Sequence, residues 1–406
     1  MNDAQTLYDF APVLELMLLG AAIALGPLAW VTWRSRGAGQ GRRLQALMVL
    51  TLFLTFDLVM FGAFTRLTDS GLGCPDWPGC YGSASPIGAR ADIQAAQQAM
   101  PTGPVTHGKA WVEMIHRYLA SSVGVLIIAI TVGVWRQRRL WQRAPGGAAA
   151  PLSPWWAGAT LAWVCLQGAF GAWTVTMKLF PAIVTLHLIG GLVLLALLCV
   201  QAVRQAQTAL GRPAVALPGA LRWGVLLALV LVSVQVALGG WVSTNYAVLA
   251  CTTFPDCNGS WWPVMDFAQG FQLWRPLGVL KDGSHIGFAA LTAIHYVHRL
   301  FAYLVLAALL LLGWRLRQAA HRLPGGSAPP VAAQGRWLLG LALLQLLTGL
   351  SNVVLDWPLA AAVLHTGGAA AMVVVLTWAL AGSRTAAVHQ AARSAGAALT
   401  AAKAKA

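Results

Sequence analysis

The sequence predicts an all-α integral membrane protein: two tandem four-helix bundles related by a pseudo-two-fold along the membrane normal, plus one extra N-terminal transmembrane helix. Three observations predict it. The 406-residue chain is 58% hydrophobic and only 10% charged, and its apolar runs of about 20 residues match the length of helix that a bilayer core requires. Nine such runs divide into one plus two sets of four whose sequences align. Four histidines, two in each set, recur at matched positions.

The spans fall at roughly 11–33, 44–66, 111–134, 154–176, 182–203, 223–244, 288–313, 337–355 and 358–382. Span one is preceded by Asp3 and Asp9 and by no Lys or Arg. A signal peptide wants a positive n-region, so this span reads as an uncleaved helix with its N-terminus outside. Basic residues concentrate in 34–43, 136–143, 204–222, 315–336 and 384–406, after spans one, three, five, seven and nine, and none of the 12 acidic residues lies there. This positive-inside pattern places the N-terminus outside and the C-terminus in the cytoplasm of a cell inner (plasma) membrane protein. The net charge of +15 is therefore topology, and nucleic acid is set aside as a partner. The Ala-rich tail 384–406 is expected to be poorly ordered.

Spans two to five and six to nine form a duplication. Residues 62–82 (GAFTRLTDSGLGCPDWPGCYG) align with 239–259 (GGWVSTNYAVLACTTFPDCNG) at an offset of 177, superposing Cys74 on Cys251, Pro78 on Pro255 and Cys80 on Cys257. Farther on, LQGAFGAW from Leu166 matches LQLLTGLS from Leu344, and His187 matches His365, at an offset of 178. Four spans per repeat is an even number, so both repeats enter the membrane from the same side, as a parallel repeat. The domains are then 1–43, the extra helix and a cytoplasmic loop; 44–206, the N-terminal bundle; 221–383, the C-terminal bundle; and 384–406, the tail. In each bundle the long connection after the first helix, about 67–110 and 245–286, is extracytoplasmic. Loops of that length are often functional.

His116 and His187 lie 71 residues apart, His298 and His365 67 apart, each in the first or second turn of its span. Spans three, five, seven and nine all run inward, so the four should sit roughly 5–10 Å below the outer face at 1.5 Å per residue. Two facing imidazoles in a membrane bundle suit the axial positions of a haem iron. Any one of them alone reads equally well as a hydrogen-bonded core histidine. Four at one depth, paired by repeat, favour a metal.

Cys74–Cys80 and Cys251–Cys257 share a Cys-x5-Cys spacing in loops assigned to an oxidising compartment, which favours an intraloop disulfide in each. A structural staple and a redox-active dithiol both remain open; zinc would want more ligands than His107 supplies. Cys165 and Cys199 fall within spans and read as packing residues. Three residues before the first His-Arg pair stands Glu113; three before the second stands His295. Spacing of nearly one turn puts each on the face of its histidine. Glu113 is either an interfacial carboxylate paired with Lys109 or a group that moves protons or stabilises a cationic intermediate. Arg66, Arg117 and Arg299, at outer helix ends, either neutralise haem propionates or snorkel to headgroups. Asp57, near the middle of span two, is expected to face the bundle interior. His107, His285, His321 and His389 read as loop or tail residues without a constellation.

The run from Thr65 to Gly82 (TRLTDSGLGCPDWPGCYG), followed by Glu113-Met-Ile-His116-Arg117, strongly resembles the haem A synthase family of bacteria and mitochondria, and the repeated His-Arg and Leu-His motifs extend the resemblance over about 44–382. The resemblance implies an eight-helix core that oxidises a methyl group of haem O to the formyl group of haem A, in two successive oxidations, for haem-copper terminal oxidases. It implies that His116 and His187 hold the substrate haem, that His298 and His365 bind a haem b cofactor (iron), and that Glu113 is the functional glutamate. The cysteine pairs occur in part of the family, and span one is extra to its core. Handover of haem O from the farnesyltransferase that makes it, and a homo-oligomer, stay open, as do the electron acceptor and the role of span one. A two-haem b-type electron carrier, quinol-linked, would want four equivalent sites, which Glu113 against His295 disfavours. A transporter on a parallel repeat would place its polar groups at the midplane rather than at one end.

Overall fold

The computed structural model describes residues 11–143, 150–323 and 328–385; the expectations for His389 and for the tail beyond 385 lie outside them. Apolar runs in lipid must satisfy every backbone group internally, and here they do so as helices. Nine long ones occur among the described residues: α1 (Ala11–Arg34), α2 (Gln40–Leu67), α4 (His107–Arg143), α5 (Pro154–Thr176), α6 (Pro181–Ala209), α7 (Gly219–Thr244), α9 (Phe288–Ala320), α10 (Ala328–Val354) and α11 (Leu359–Ala381). Two shorter helices, α3 (Arg90–Ala99) and α8 (Phe267–Gly270), lie in the long loops. Eight of the long helices are long and apolar enough to cross a membrane, so the chain is an all-α, multi-pass membrane protein. The exception is α5, where Pro, Gln167 and many small or indole side chains dilute the aliphatic content; it packs between α4 and α6 nonetheless.

Two helices begin earlier than hydropathy suggests. α4 starts at His107 and α9 at Phe288, so His116 and His298 sit in the third turn rather than the first or second. His107 therefore belongs to α4, and His321 caps the end of α9. At 37 residues α4 is about 55 Å long, more than a bilayer core needs.

Helices α2, α4, α5 and α6 pack in a ring, α2 against α4 and α6 with α5 between α4 and α6. Helices α7, α9, α10 and α11 repeat that arrangement. Between the two rings α6 lies against its counterpart α11, while α2 meets α11 and α7 meets α6. Each contact between the halves thus has its mirror in the repeat. Equivalent residues even touch one another: Arg66 Nη2 donates to the Ser243 carbonyl at 2.6 Å, and the Tyr246 hydroxyl donates to Asp69 Oδ1 at 2.7 Å, both across a separation of 177. A position meeting its own counterpart is what a two-fold relation produces. The arrangement extends to two short strands, β1 (Val215–Leu217) after α6 and β2 (Ser383–Thr385) after α11, which pair in parallel.

α6 supplies both apolar cores. Leu192 and Leu195 join the C-terminal cluster, and Leu194 and Leu198 join the N-terminal one. α1 packs along α4; a Cβ at Gly20 would come 2.5 Å from the Cβ of Ser121, so the close approach requires glycine. Asp57 does not face the interior as expected. It lies exposed in line with Val49 and Phe53, because the buried face of α2 is set by Thr51 and Thr55, and a residue two positions on from Thr55 is turned about 200° away. Cys199 is buried as a packing residue, whereas Cys165 is on an exposed flank of α5.

Candidate functional site: paired histidines under two disulfide loops

The long loops fold back onto the ends of α4 and α9 that carry the His-Arg pairs. In each, the cysteines are disulfide-bonded with Cα atoms 4.8 Å apart, and all four are fully buried. Equivalent X-Pro bonds, Trp77–Pro78 and Phe254–Pro255, are cis, and equivalent bridges join Cys80 to Ser83 and Cys257 to Ser260.

The arginine of each pair holds its loop down. Arg117 Nη1 donates to the carbonyls of Pro78 (3.1 Å) and Gly79. Arg299 donates to the carbonyls of Thr253 (2.8 Å), Asp256 (2.6 Å) and Cys251 (3.1 Å). Both guanidiniums are buried, so neither snorkels to a headgroup; spent on backbone carbonyls, they act as loop clamps. Arg66 is likewise occupied, by Asp69 at 3.1 Å and by the Tyr246 ring 4.1 Å beneath it.

Glu113 is only 4% exposed. Its Oε1 pairs with Arg117 Nη2 at 2.5 Å and its Oε2 accepts from the Cys74 N–H at 2.8 Å. Lys109, the partner in the interfacial alternative, instead donates to the Gly103 carbonyl. A carboxylate this deep persists because an ion pair and a backbone donor both satisfy it. At the matching position His295 Nδ1 lies 3.0 Å from the Ala247 carbonyl, and its Nε2 lies 3.4 Å from Arg299 Nη2.

The four histidines come together in the pairs the repeat suggests. His116 on α4 is within electrostatic reach of His187 on α6, and His298 on α9 of His365 on α11. Each ring also lies edge-on to a glycine of a neighbouring helix: His116 to Gly62, His187 to Gly171, His298 to Gly239 and His365 to Gly349, where an added Cβ would stand 3.0, 3.4, 2.8 and 3.2 Å from the ring. These glycines occupy equivalent positions, 177 or 178 apart. The rings fit because those helices present no side chain there.

Around the rings the halves diverge. Thr348 Oγ1 lies 2.9 Å from His365 Nδ1 and donates to the Leu344 carbonyl at 2.7 Å. The Gln235 amide lies 3.1 Å from His298 Nδ1. Offsets of 178 and 177 put Phe170 and Leu58 at these places in the N-terminal half. There the Phe61 ring stacks on His116 at 6.3 Å, and His187 Nδ1 is buried with no hydrogen-bond partner among the described residues. Sequence reasoning missed the glycines, Thr348 and Gln235. Gly171 with Gly349, and Phe170 against Thr348, stood inside the aligned LQ motif, but nothing in the motif says which helix faces them.

The donor sets suit a porphyrin. Among the described residues no cluster of three or more His, Cys, Asp or Glu could hold a bare ion, whereas a haem brings four ring nitrogens and asks the protein for two axial ligands. Two imidazole pairs, each between helices of one ring, match that demand.

Residues 45–377 match the COX15-CtaA family, described as cytochrome oxidase assembly protein. The chain is 36% identical over 330 residues to the heme A synthase of Shewanella oneidensis, covering 81% of this chain and 93% of the relative. It is 30% identical over 359 residues to the heme A synthase of a Methylobacterium strain, covering 84% and 92%. The heme A synthase of Mesorhizobium japonicum is 29% identical over 340 residues, covering 79% and 85%.

Proposed function

The chain belongs to the COX15-CtaA family of cytochrome oxidase assembly proteins, and we propose that it is a haem A synthase, an integral-membrane oxidoreductase that oxidises a methyl group of haem O to the formyl group of haem A. In this reading residues 44–206 hold the substrate haem between His116 and His187, and residues 221–383 hold a haem b cofactor between His298 and His365. Haem b supplies an iron that changes oxidation state by one electron at a time. The observation that carries the reading is the asymmetry at the His-Arg pairs: a buried, ion-paired Glu113 in one half and an imidazole, His295, in the other.

The protein's own residues then divide the work. The imidazole pairs orient each porphyrin, and the glycines opposite keep the rings from being displaced. The disulfide loops, clamped by Arg117 and Arg299, cover the histidine end of the bundles and keep water off it. Glu113, tied to the Cys74 N–H, keeps a negative charge one turn from His116, where it can stabilise positive charge developing on the methyl carbon or hold the water that reacts with it. Basic clusters after alternate helices support a cytoplasmic C-terminus and histidines near the extracytoplasmic face. Haem O is the substrate partner; delivery by the farnesyltransferase and self-association are further proposals that do not bear on this site.

The test is to express the chain in a host that makes haem O and no haem A, then extract and identify its haems. Haem A or its hydroxylated precursor is expected, and Glu113→Ala should lower that product by about 10²-fold or more while bound haem b persists. Haem b alone, in a host where another haem A synthase succeeds, would overturn the reading in favour of a two-haem electron carrier.

A further inference from the structure

A histidine binds iron through one ring nitrogen only if its proton sits on the other, and the partner of that other nitrogen decides where the proton sits. Thr348 settles this for His365. A hydroxyl has one proton, and Thr348 gives it to the Leu344 carbonyl four residues back, at 2.7 Å, the usual bond of a helical threonine. Its oxygen is left to accept, and His365 Nδ1 is 2.9 Å away. His365 must then carry its proton on Nδ1, which leaves Nε2 with a free lone pair. The Gln345 amide adds to the restraint by donating to the His365 backbone carbonyl at 2.8 Å.

The N-terminal half lacks this device. The counterpart of Thr348 is Phe170, and His187 Nδ1 is buried without a hydrogen-bond partner among the described residues. At the other ligands the halves differ in kind as well: the Gln235 amide nitrogen lies 3.1 Å from His298 Nδ1 and 3.4 Å from its Nε2, while Leu58 stands at that place in the first half and the Phe61 ring lies parallel to His116. Among the described residues, the polar contacts to the ring nitrogens of these four histidines are thus confined to one half of a duplicated frame.

We propose that Thr348 is a positioning residue that locks His365 into the iron-binding tautomer and makes the C-terminal pair a permanent haem holder, whereas His187, in the half where Phe170 replaces that threonine, is the ligand that lets haem go. This rests on the reading of the two halves given above and deepens it: a cofactor must stay, while a substrate must enter and its product leave. Second-shell partners of metal-bound histidines are worth about 10–100-fold in metal affinity. A hydrogen bond from Nδ1–H also makes the ligand more basic, which favours ferric over ferrous iron and lowers the reduction potential.

The experiment uses the purified haem-loaded protein in a His116→Ala/His187→Ala background, so that only the C-terminal pair holds haem. Transfer of haem to excess apomyoglobin and the reduction potential are measured for Thr348, Thr348→Val and Thr348→Ser. Thr348→Val, equal in shape, is expected to release haem about 10–100-fold faster and to raise the potential, and Thr348→Ser to restore both. Release within twofold of the parent, with an unchanged potential, would overturn the proposal. In otherwise unaltered protein, Phe170→Thr should slow release from the N-terminal pair, and faster release would count against it. The two readings fail separately. If the unaltered chain makes haem A but Thr348→Val keeps its haem, the tautomer lock alone falls; if Thr348→Val behaves as expected but no haem A is made, the synthase reading falls and the lock stands.

Discussion

One turn before the His-Arg pair the N-terminal half carries Glu113 and the C-terminal half His295, and each uses its loop differently. Glu113 needs its arginine: the ion pair at 2.5 Å is what makes a buried carboxylate tolerable. His295 is only 3.4 Å from Arg299, whose stronger bonds all go to loop carbonyls. The disulfide loops, the cis prolines, the clamping arginines and the glycines opposite the rings are common to both halves. What changes is the set of polar groups nearest the histidines. A charge and aromatic rings mark one half, amide and hydroxyl groups the other. Duplication has kept the frame and varied the chemistry, the pattern expected when one site reacts and the other serves it.

The largest test of this comparison removes ligands. His298→Ala or His365→Ala should abolish the low-spin haem b absorption of the purified protein, while His116→Ala or His187→Ala should leave it in place. Equal losses from both halves would break the assignment of cofactor and substrate. Next come the clamps. Arg117→Ala strands a buried carboxylate and should cost about 3–5 kcal/mol of stability, read as thermal unfolding in detergent. Arg299→Ala frees loop carbonyls but strands no carboxylate and should cost less; the reverse order would deny the N-terminal clamp its ion-pair role. The smallest effect belongs to the glycines. A Cβ at Gly239 would meet the His298 ring at 2.8 Å and one at Gly171 the His187 ring at 3.4 Å. Gly239→Ala should therefore shift the haem spectrum and weaken retention, and Gly171→Ala should change haem content little.

Much of this frame was legible in the chain itself. Helix positions follow from apolar runs, and the two-fold relation from an offset that superposes cysteines, prolines and histidines. Helices α4 and α9 begin outside their most apolar segments, because their first turns pack beneath the loops, and hydropathy does not register packing against protein. Lys109 and Arg117 are both four residues from Glu113, so spacing alone does not choose between them. Arg117 wins because it also reaches the loop carbonyls. The cost of a charge in lipid favours an inward Asp57, whereas helical phase relative to Thr51 and Thr55 turns it outward.

By itself the sequence determined the class, the number of long helices, the repeat and the four histidines, since all of these rest on hydropathy, periodicity and identity along one dimension. Only the tertiary structure decided what meets each ring. Thr348 and His365 are 17 residues apart and Gln235 and His298 63 apart, and their contacts depend on which faces two packed helices turn toward each other. That choice is made by glycines and side-chain volumes across an interface, and no local pattern in the chain records it.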